Sequence, residues 1–298
     1  MPRLEVELAG LRLRNPLMNA SGVLGNAASL LRKVAMAGAG AIVSKSATME
    51  PREGYENPTY VKLDCGAINA MGLPNPGYEA VAEELGELTD LGVPVIASIA
   101  PADDAQAKLM ARRMRDVASA IEVNLSCPHA RKLGYEVAAD PEMVRRIARE
   151  IKAEFRKPVL AKLPPIRSDC LSLVPELDSV DGLVVSNTIR AMAIDVSAKR
   201  PVLSNKFGGL SGHALHPVVV GLLYELYETT RKPLVGVGGV SDWDDAVELM
   251  LAGATAVQVG TAISEDLQVF DRIKQGMSRY LDESGISANE MIGLAHEA

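Results

Sequence analysis

Short apolar runs recur eight times along this 298-residue chain, with amphipathic stretches between them, and that alternation narrows the possible folds more than any other property. The runs lie at 16–20, 41–45, 94–99, 121–125, 159–163, 182–186, 234–237 and 256–259. Segments 103–117, 141–155, 242–251 and 266–280 carry apolar residues at helical spacing, with Asp or Pro near their starts, as helix N-termini favour. Pro94, Pro158 and Pro233 each open a run, where a missing N–H does least harm. Near-continuous apolar strands alternating with helices imply an α/β protein with a parallel sheet covered on both faces. Eight such units imply a closed (β/α)8 barrel. An open doubly wound sheet is the alternative. Segment 4–13 alternates and reads as a short N-terminal hairpin, and two long insertions, 47–77 and 189–212, interrupt the series. No linker, low-complexity tract or charge run divides the chain, so residues 1–298 read as one domain.

Composition removes several classes of function. With 48% hydrophobic residues the chain can bury a large core. Lys and Arg number 31 against 38 Asp and Glu, a net charge of −7 without a basic cluster, which argues against nucleic acid or an anionic membrane as partner. No run of about 18 uncharged apolar residues occurs, and the N-terminus carries no apolar signal segment, so no membrane span or export is expected. The cysteines Cys65, Cys127 and Cys170 form no C-x-x-C, which argues against a disulfide framework or a metal cluster held by this chain alone. A reducing cytoplasm fits that usage.

In a barrel the carboxyl ends of the strands build the active site. Read in order, those ends carry Asn19-Ala20-Ser21-Gly22, Ser44-Lys45-Ser46, Asn124-Leu125-Ser126-Cys127-Pro128-His129, Lys162, Asn187-Thr188, Gly236-Val237-Gly238-Gly239 and Gly260-Thr261. A structural cysteine needs no polar neighbours, because a buried thiol packs as a small hydrophobe. A reactive one needs groups that hold a substrate and favour thiolate, and Cys127 has an amide and a hydroxyl within three residues. Either lysine alone could snorkel to solvent, but their convergence with amides and a thiol on one rim points to a site. Each of the two glycine clusters leads from a strand into a helix. Glycines let backbone N–H groups approach an anion, and in barrels the loops after the last two strands often hold a phosphate. A phosphorylated cofactor follows, FMN being the natural candidate. Cys65 and Cys170 read as packing residues and His296 as exposed.

Nearly the whole chain resembles the dihydroorotate dehydrogenase family. The resemblance rests on Asn15-Pro16-Leu17-Met18-Asn19-Ala20-Ser21-Gly22, Ser44-Lys45-Ser46, Asn69-Ala70-Met71-Gly72-Leu73-Pro74-Asn75 and Asn124-Leu125-Ser126-Cys127-Pro128. Ser186-Asn187-Thr188, Gly208-Gly209-Leu210-Ser211-Gly212 and the two glycine clusters continue it. It implies a barrel, FMN, and oxidation of dihydroorotate to orotate in pyrimidine synthesis. Cysteine as the base and the lack of an N-terminal extension resemble the soluble class 1, of the NAD-linked 1B type. By the same resemblance Cys127 is the base, Lys45, Asn69, Met71, Gly72, Leu73, Asn124, Asn187 and Thr188 face the substrate, and the segment from Met71 to Asn75 supplies further substrate donors. Ala20, Ser21, Gly22, Lys45, Ser46, Asn124, Lys162, Gly212, Gly238, Gly239, Gly260 and Thr261 face the cofactor. Ser126 supports the base. A homodimer is implied, and a heterotetramer with a subunit carrying FAD and an iron–sulfur cluster, since this chain has no motif for such a cluster.

The chain also departs from the family. His129 stands where the family has an Asn substrate ligand, as in dihydropyrimidine dehydrogenases, which reduce uracil and are the alternative reading. They do not usually show the 69–75 segment. His213 and His216 replace a Pro and a Lys, and Lys162-Leu163-Pro164-Pro165 lacks the family's continuation. A Schiff-base aldolase or epimerase using Lys45 or Lys162, and a non-catalytic barrel subunit, remain as readings from other classes.

Overall fold

The computed structural model describes residues 2–126 and 135–297. Eight parallel strands form its centre: β1 (Leu17–Asn19), β2 (Ile42–Val43), β3 (Val95–Ile99), β4 (Ala120–Asn124), β5 (Val159–Lys162), β6 (Gly182–Val185), β7 (Leu234–Val237) and β8 (Ala254–Val259). Each pairs with its neighbour in sequence, and β8 returns to β1 with Val257 opposite Leu17. A bridge between Met18 and Ala41 and a 2.7 Å hydrogen bond from the Gly40 N–H to the Leu17 carbonyl join β1 to β2. The sheet therefore closes into a (β/α)8 barrel, and the open-sheet alternative falls.

Gly40 is required at that seam, because a Cβ there would overlap the Asn15 carbonyl oxygen. Gly40→Ala should cost about 1–3 kcal/mol of stability, the usual scale for forcing an atom into a packed site. A shifted urea midpoint with unchanged slope checks this.

Helices α1 (Ala28–Met36), α2 (Tyr78–Gly86), α3 (Asp104–Met114), α4 (Pro141–Glu154), α5 (Arg167–Leu173), α6 (His216–Thr229), α7 (Trp243–Leu251) and α8 (Val269–Ser284) follow the strands in turn. Their starts obey local chemistry. Asp103 and Asp140 accept from the N–H groups of Gln106 and Met143, which caps α3 and α4. Asp242 and Asp245 form a reciprocal capping box on α7. On α4, Val144, Ile147, Ala148 and Ile151 repeat at helical spacing and are buried against the barrel. The N-terminal hairpin pairs Val6–Leu8 with Leu11–Leu13, and its Val6, Leu8 and Leu13 join the same core.

The two insertions meet. Residues 47–77 supply the hairpin Tyr60–Leu63 and Gly66–Asn69, and residues 189–212 supply Ile189–Ala191 and Gly208–Ser211. Together they make one four-stranded antiparallel sheet, with Gly209 opposite Asn69, standing at the carboxyl ends of the barrel strands. Among the described residues no helix is long and apolar enough to cross a membrane.

Candidate active site

Between this canopy and the barrel lies a cavity of about 740 Å³. Barrel strand ends supply its floor: Ala20, Ser21 and Gly22 after β1, Lys45 and Ser46 after β2, Asn124 on β4 and Lys162 on β5. Asn187 and Thr188 follow β6, Gly238 and Gly239 follow β7, and Gly260 and Thr261 follow β8. The canopy and its flanks add Asn69, Met71, Gly72, Leu73 and Gly212. These residues thus surround one space, with Ser126 buried just behind Asn124 and Asn187. Cys127 and His129 lie outside the described residues.

Hydrogen bonds fix the amides of the floor. Asn124 donates from Nδ2 to Ser46 Oγ at 3.1 Å, and its Oδ1 accepts from Asn187 Nδ2 at 3.2 Å and from the Ser126 N–H at 3.3 Å. Asn187 Nδ2 also donates to Ser126 Oγ at 3.1 Å, and Ser126 donates to the Lys162 carbonyl at 3.1 Å. Both N–H groups of Asn187 are therefore engaged, whereas Asn124 keeps one in hand.

Lys162 reaches into a buried polar cluster below the floor. Its Nζ lies 3.2 Å from Gln258 Oε1, 3.5 Å from Ser21 Oγ and 3.8 Å from Glu122 Oε1. The side chains of Lys162 and Glu122 are 6% and 0% exposed. Sequence reasoning passed over Glu122 and Gln258, since each sits inside an apolar run. Period-two alternation would have shown the first: Glu122, Asn124 and Ser126 alternate with Ile121, Val123 and Leu125, whereas Gln258 follows Ala254 and Ala256 on its face and carries no such signal.

At the glycine end, Gly239 has φ +72°, and a Cβ there would stand 2.7 Å from His216 Cβ. Gly212, at φ +98°, passes so close to Gly66 that a Cβ would come within 2.5 Å of its Cα. His216 is buried against this turn, with Nδ1 3.0 Å from the Gly238 carbonyl and Nε2 2.9 Å from Glu248. His213 stacks on it at 6.1 Å and lines the cavity. At the mouth, Lys62 of the canopy pairs with Glu265 at 2.6 Å, and that hydrogen bond raises the lysine's pKa.

Three expectations need correction. Asn75 does not face the cavity: Thr48, Leu73 and Gly77 consume its amide, which makes it a brace for the loop. Cys65 is no packing residue; it is exposed in the two-residue turn of the canopy hairpin and lines the cavity. His296 is only 11% exposed, because its ring stacks on Tyr224 at 3.8 Å and against Tyr227. Cys170 is buried, and desolvation pushes its thiol up to about 12.

Residues 3–281 match the dihydroorotate dehydrogenase family. The chain is 46% identical over 298 residues to the "Dihydroorotate dehydrogenase B (NAD(+)), catalytic subunit" of Pyrococcus furiosus, covering 99% of each chain. It is 48% identical over 296 residues to the protein of the same description from Pyrococcus abyssi, covering 98% of this chain and 99% of that one. Among solved structures, dihydroorotate dehydrogenase of Eimeria tenella in complex with ferulenol superposes with a TM-score of 0.86 at 22% identity, over 100% of this chain and 90% of that one, a likeness of fold.

Proposed function

The chain belongs to the dihydroorotate dehydrogenase family, and on that premise we propose that it oxidises dihydroorotate to orotate in pyrimidine synthesis, with FMN in the cavity and Cys127 as the base. The observation that carries this reading is one cavity lined by two glycine turns, after β7 and β8, together with Lys162 and the Asn124–Asn187 amide pair. Its volume of about 740 Å³ is in the range of small-molecule and cofactor sites, roughly 300–1,000 Å³. The donor set suits a phosphorylated cofactor whose reduced ring is anionic. Backbone N–H groups at Gly238, Gly239, Gly260 and Thr261 would take the phosphate, with Gly212 beside them. Lys45 and Lys162 would lie against the ring, and Ala20, Ser21, Gly22 and Ser46 along its edge.

When bound, FMN supplies the hydride acceptor. Cys127 takes the proton from the neighbouring carbon, the one beside the ring carbonyl, as the carbon–carbon double bond of orotate forms. Ser126, pinned between Asn187 and the Lys162 carbonyl, anchors the residue that carries this base. Asn124 offers its remaining N–H to the pyrimidine, while the Asn187 oxygen, which already accepts from the Thr188 N–H at 2.8 Å, has one further lone pair to turn to the ring. Asn69, Thr188 and the backbone of Met71, Gly72 and Leu73 enclose the other edge.

The relatives' description as a catalytic subunit supports a class 1B enzyme that works with a second subunit. With three cysteines and no C-x-x-C in this chain, an iron–sulfur cluster would belong to that partner, alongside FAD, as the route to NAD. Purified protein should show flavin absorption, and anaerobic dihydroorotate should bleach it. Colourless protein, or a spectrum that dihydroorotate leaves unchanged, would sink the proposal. The phosphate assignment has its own test. A Cβ on Gly260 would meet only the Ala20 Cβ, at 3.6 Å, so Gly260→Leu should fold and yet bind FMN at least about tenfold more weakly, a difference near 1.4 kcal/mol. Unchanged flavin affinity would show that the phosphate lies elsewhere.

A further inference from the structure

Glu122 is a fully buried carboxylate in the wall of the barrel, two residues before Asn124 on β4. An ion in such a place is unfavourable unless its partners are good, and here they converge. Gln258 donates from Nε2 to Glu122 Oε2 at 2.6 Å, Ser98 Oγ stands 3.5 Å from Oε1, and the Lys162 ammonium lies 3.8 Å away.

A carboxylate can only accept, and that fixes the direction of everything attached to it. Ser98 must donate to Glu122. Its one proton is then spent, so Ser46, 2.9 Å away, must donate to Ser98. The Ser46 oxygen is left to accept from Asn124 Nδ2 at 3.1 Å. Asn124 Oδ1 consequently faces Asn187 Nδ2 at 3.2 Å. A one-way chain of donors thus runs from Asn187 through Asn124, Ser46 and Ser98 to Glu122. On the other side, Gln258 gives its Nε2 to Glu122 and so must turn its oxygen to Lys162.

We infer that Glu122 is the positioning residue of this site: as terminal acceptor it orients the Asn124 and Asn187 amides that meet the pyrimidine, and as counter-ion it holds and offsets the Lys162 ammonium. The inference rests on the cavity taking a flavin and a pyrimidine as proposed above. It separates into two effects. The donor chain governs orotate affinity, and the charge governs how strongly the site favours the anionic reduced flavin.

The test uses FMN-loaded protein. Glu122→Gln keeps size but puts an N–H where only acceptors fit, and it removes the negative charge beside Lys162. Orotate should bind at least about tenfold more weakly, and the flavin midpoint potential should become more positive. Ser98→Ala cuts the chain and leaves the ion pair intact, so orotate should weaken while the potential stays at its wild-type value. Wild-type orotate affinity in Ser98→Ala, or a wild-type potential in Glu122→Gln, overturns the inference. Should Glu122→Gln fail to fold, Ser98→Ala alone decides the donor chain. A wild-type protein that binds neither FMN nor orotate would instead overturn the reading of the function, so the two failures are distinguishable.

Discussion

Cys127→Ala is expected to keep its flavin and to bind orotate, while reduction of the flavin by dihydroorotate slows by at least about 10²-fold, the scale of a lost general base. The proton leaves a carbon, and no oxygen or nitrogen of the substrate can hold it in passing, so the base has no substitute on the ring itself. The thiolate is the active form, which gives the pH dependence its sign. Activity rises with pH as the thiol ionises; an unperturbed thiol does so near ~8.5. In Cys127→Ser the hydroxyl ionises far higher. That variant should retain partial activity, which keeps climbing with pH where the wild type levels off. Stopped-flow reduction under anaerobic conditions measures both. Near-normal reduction in the alanine variant would remove Cys127 from the mechanism.

Orotate should perturb the flavin spectrum at a concentration at least about 100-fold lower than uracil does. The two rings differ by a carboxylate, so a site built for orotate holds donors that uracil leaves unpaired. Each unpaired buried donor costs roughly 1–3 kcal/mol, or about 10- to 100-fold in affinity. With Asn75 committed to its own loop, those donors must come from Asn69, from the backbone of Met71, Gly72 and Leu73, and from Lys45, all of which line the cavity. By its place in the family motif, where an Asn substrate ligand is usual, a protonated His129 would add charge toward the same carboxylate. The same pairs of ligands and substrates probe the competing pyrimidine chemistry. Uracil binding as tight as orotate, with dihydrouracil reducing the flavin as fast as dihydroorotate, would replace the proposed substrate by uracil.

What could be read from the sequence, and what could not, divides along local and non-local physics. The eight barrel strands were legible because each is buried on both faces and reads as an apolar run between helices. Strand Ala120–Asn124 is the instructive exception, since Glu122 was averaged away among its apolar neighbours even though its side chain organises the polar cluster around Lys162. The canopy was legible only as two insertions. Its pairing of Gly66–Asn69 with Gly208–Ser211 joins segments far apart in the chain, and no periodicity within either announces the other. Cys65 and His296 were misread for related reasons: a turn exposes one, and two tyrosines on α6 cover the other. Strand-end residues such as Lys45, Asn124, Lys162, Asn187 and Gly260 share one cavity because a barrel converts position along a strand into position on a rim.

That the canopy joins residues 140 apart in the chain, as Asn69 and Gly209 are, bears on when the cavity comes into being. Closing a long loop is an entropic debt that only later contacts offset, whereas the consecutive βα units of the barrel, its β8–β1 seam apart, form from neighbours in sequence. That run of βα units can therefore assemble ahead of the canopy, and Asn69, whose place is set by pairing with Gly209 and Tyr60, takes its position late. Backbone amides of the canopy should accordingly exchange with deuterium sooner than those of β4 and β5, and a bound pyrimidine should slow the former while leaving the latter unchanged.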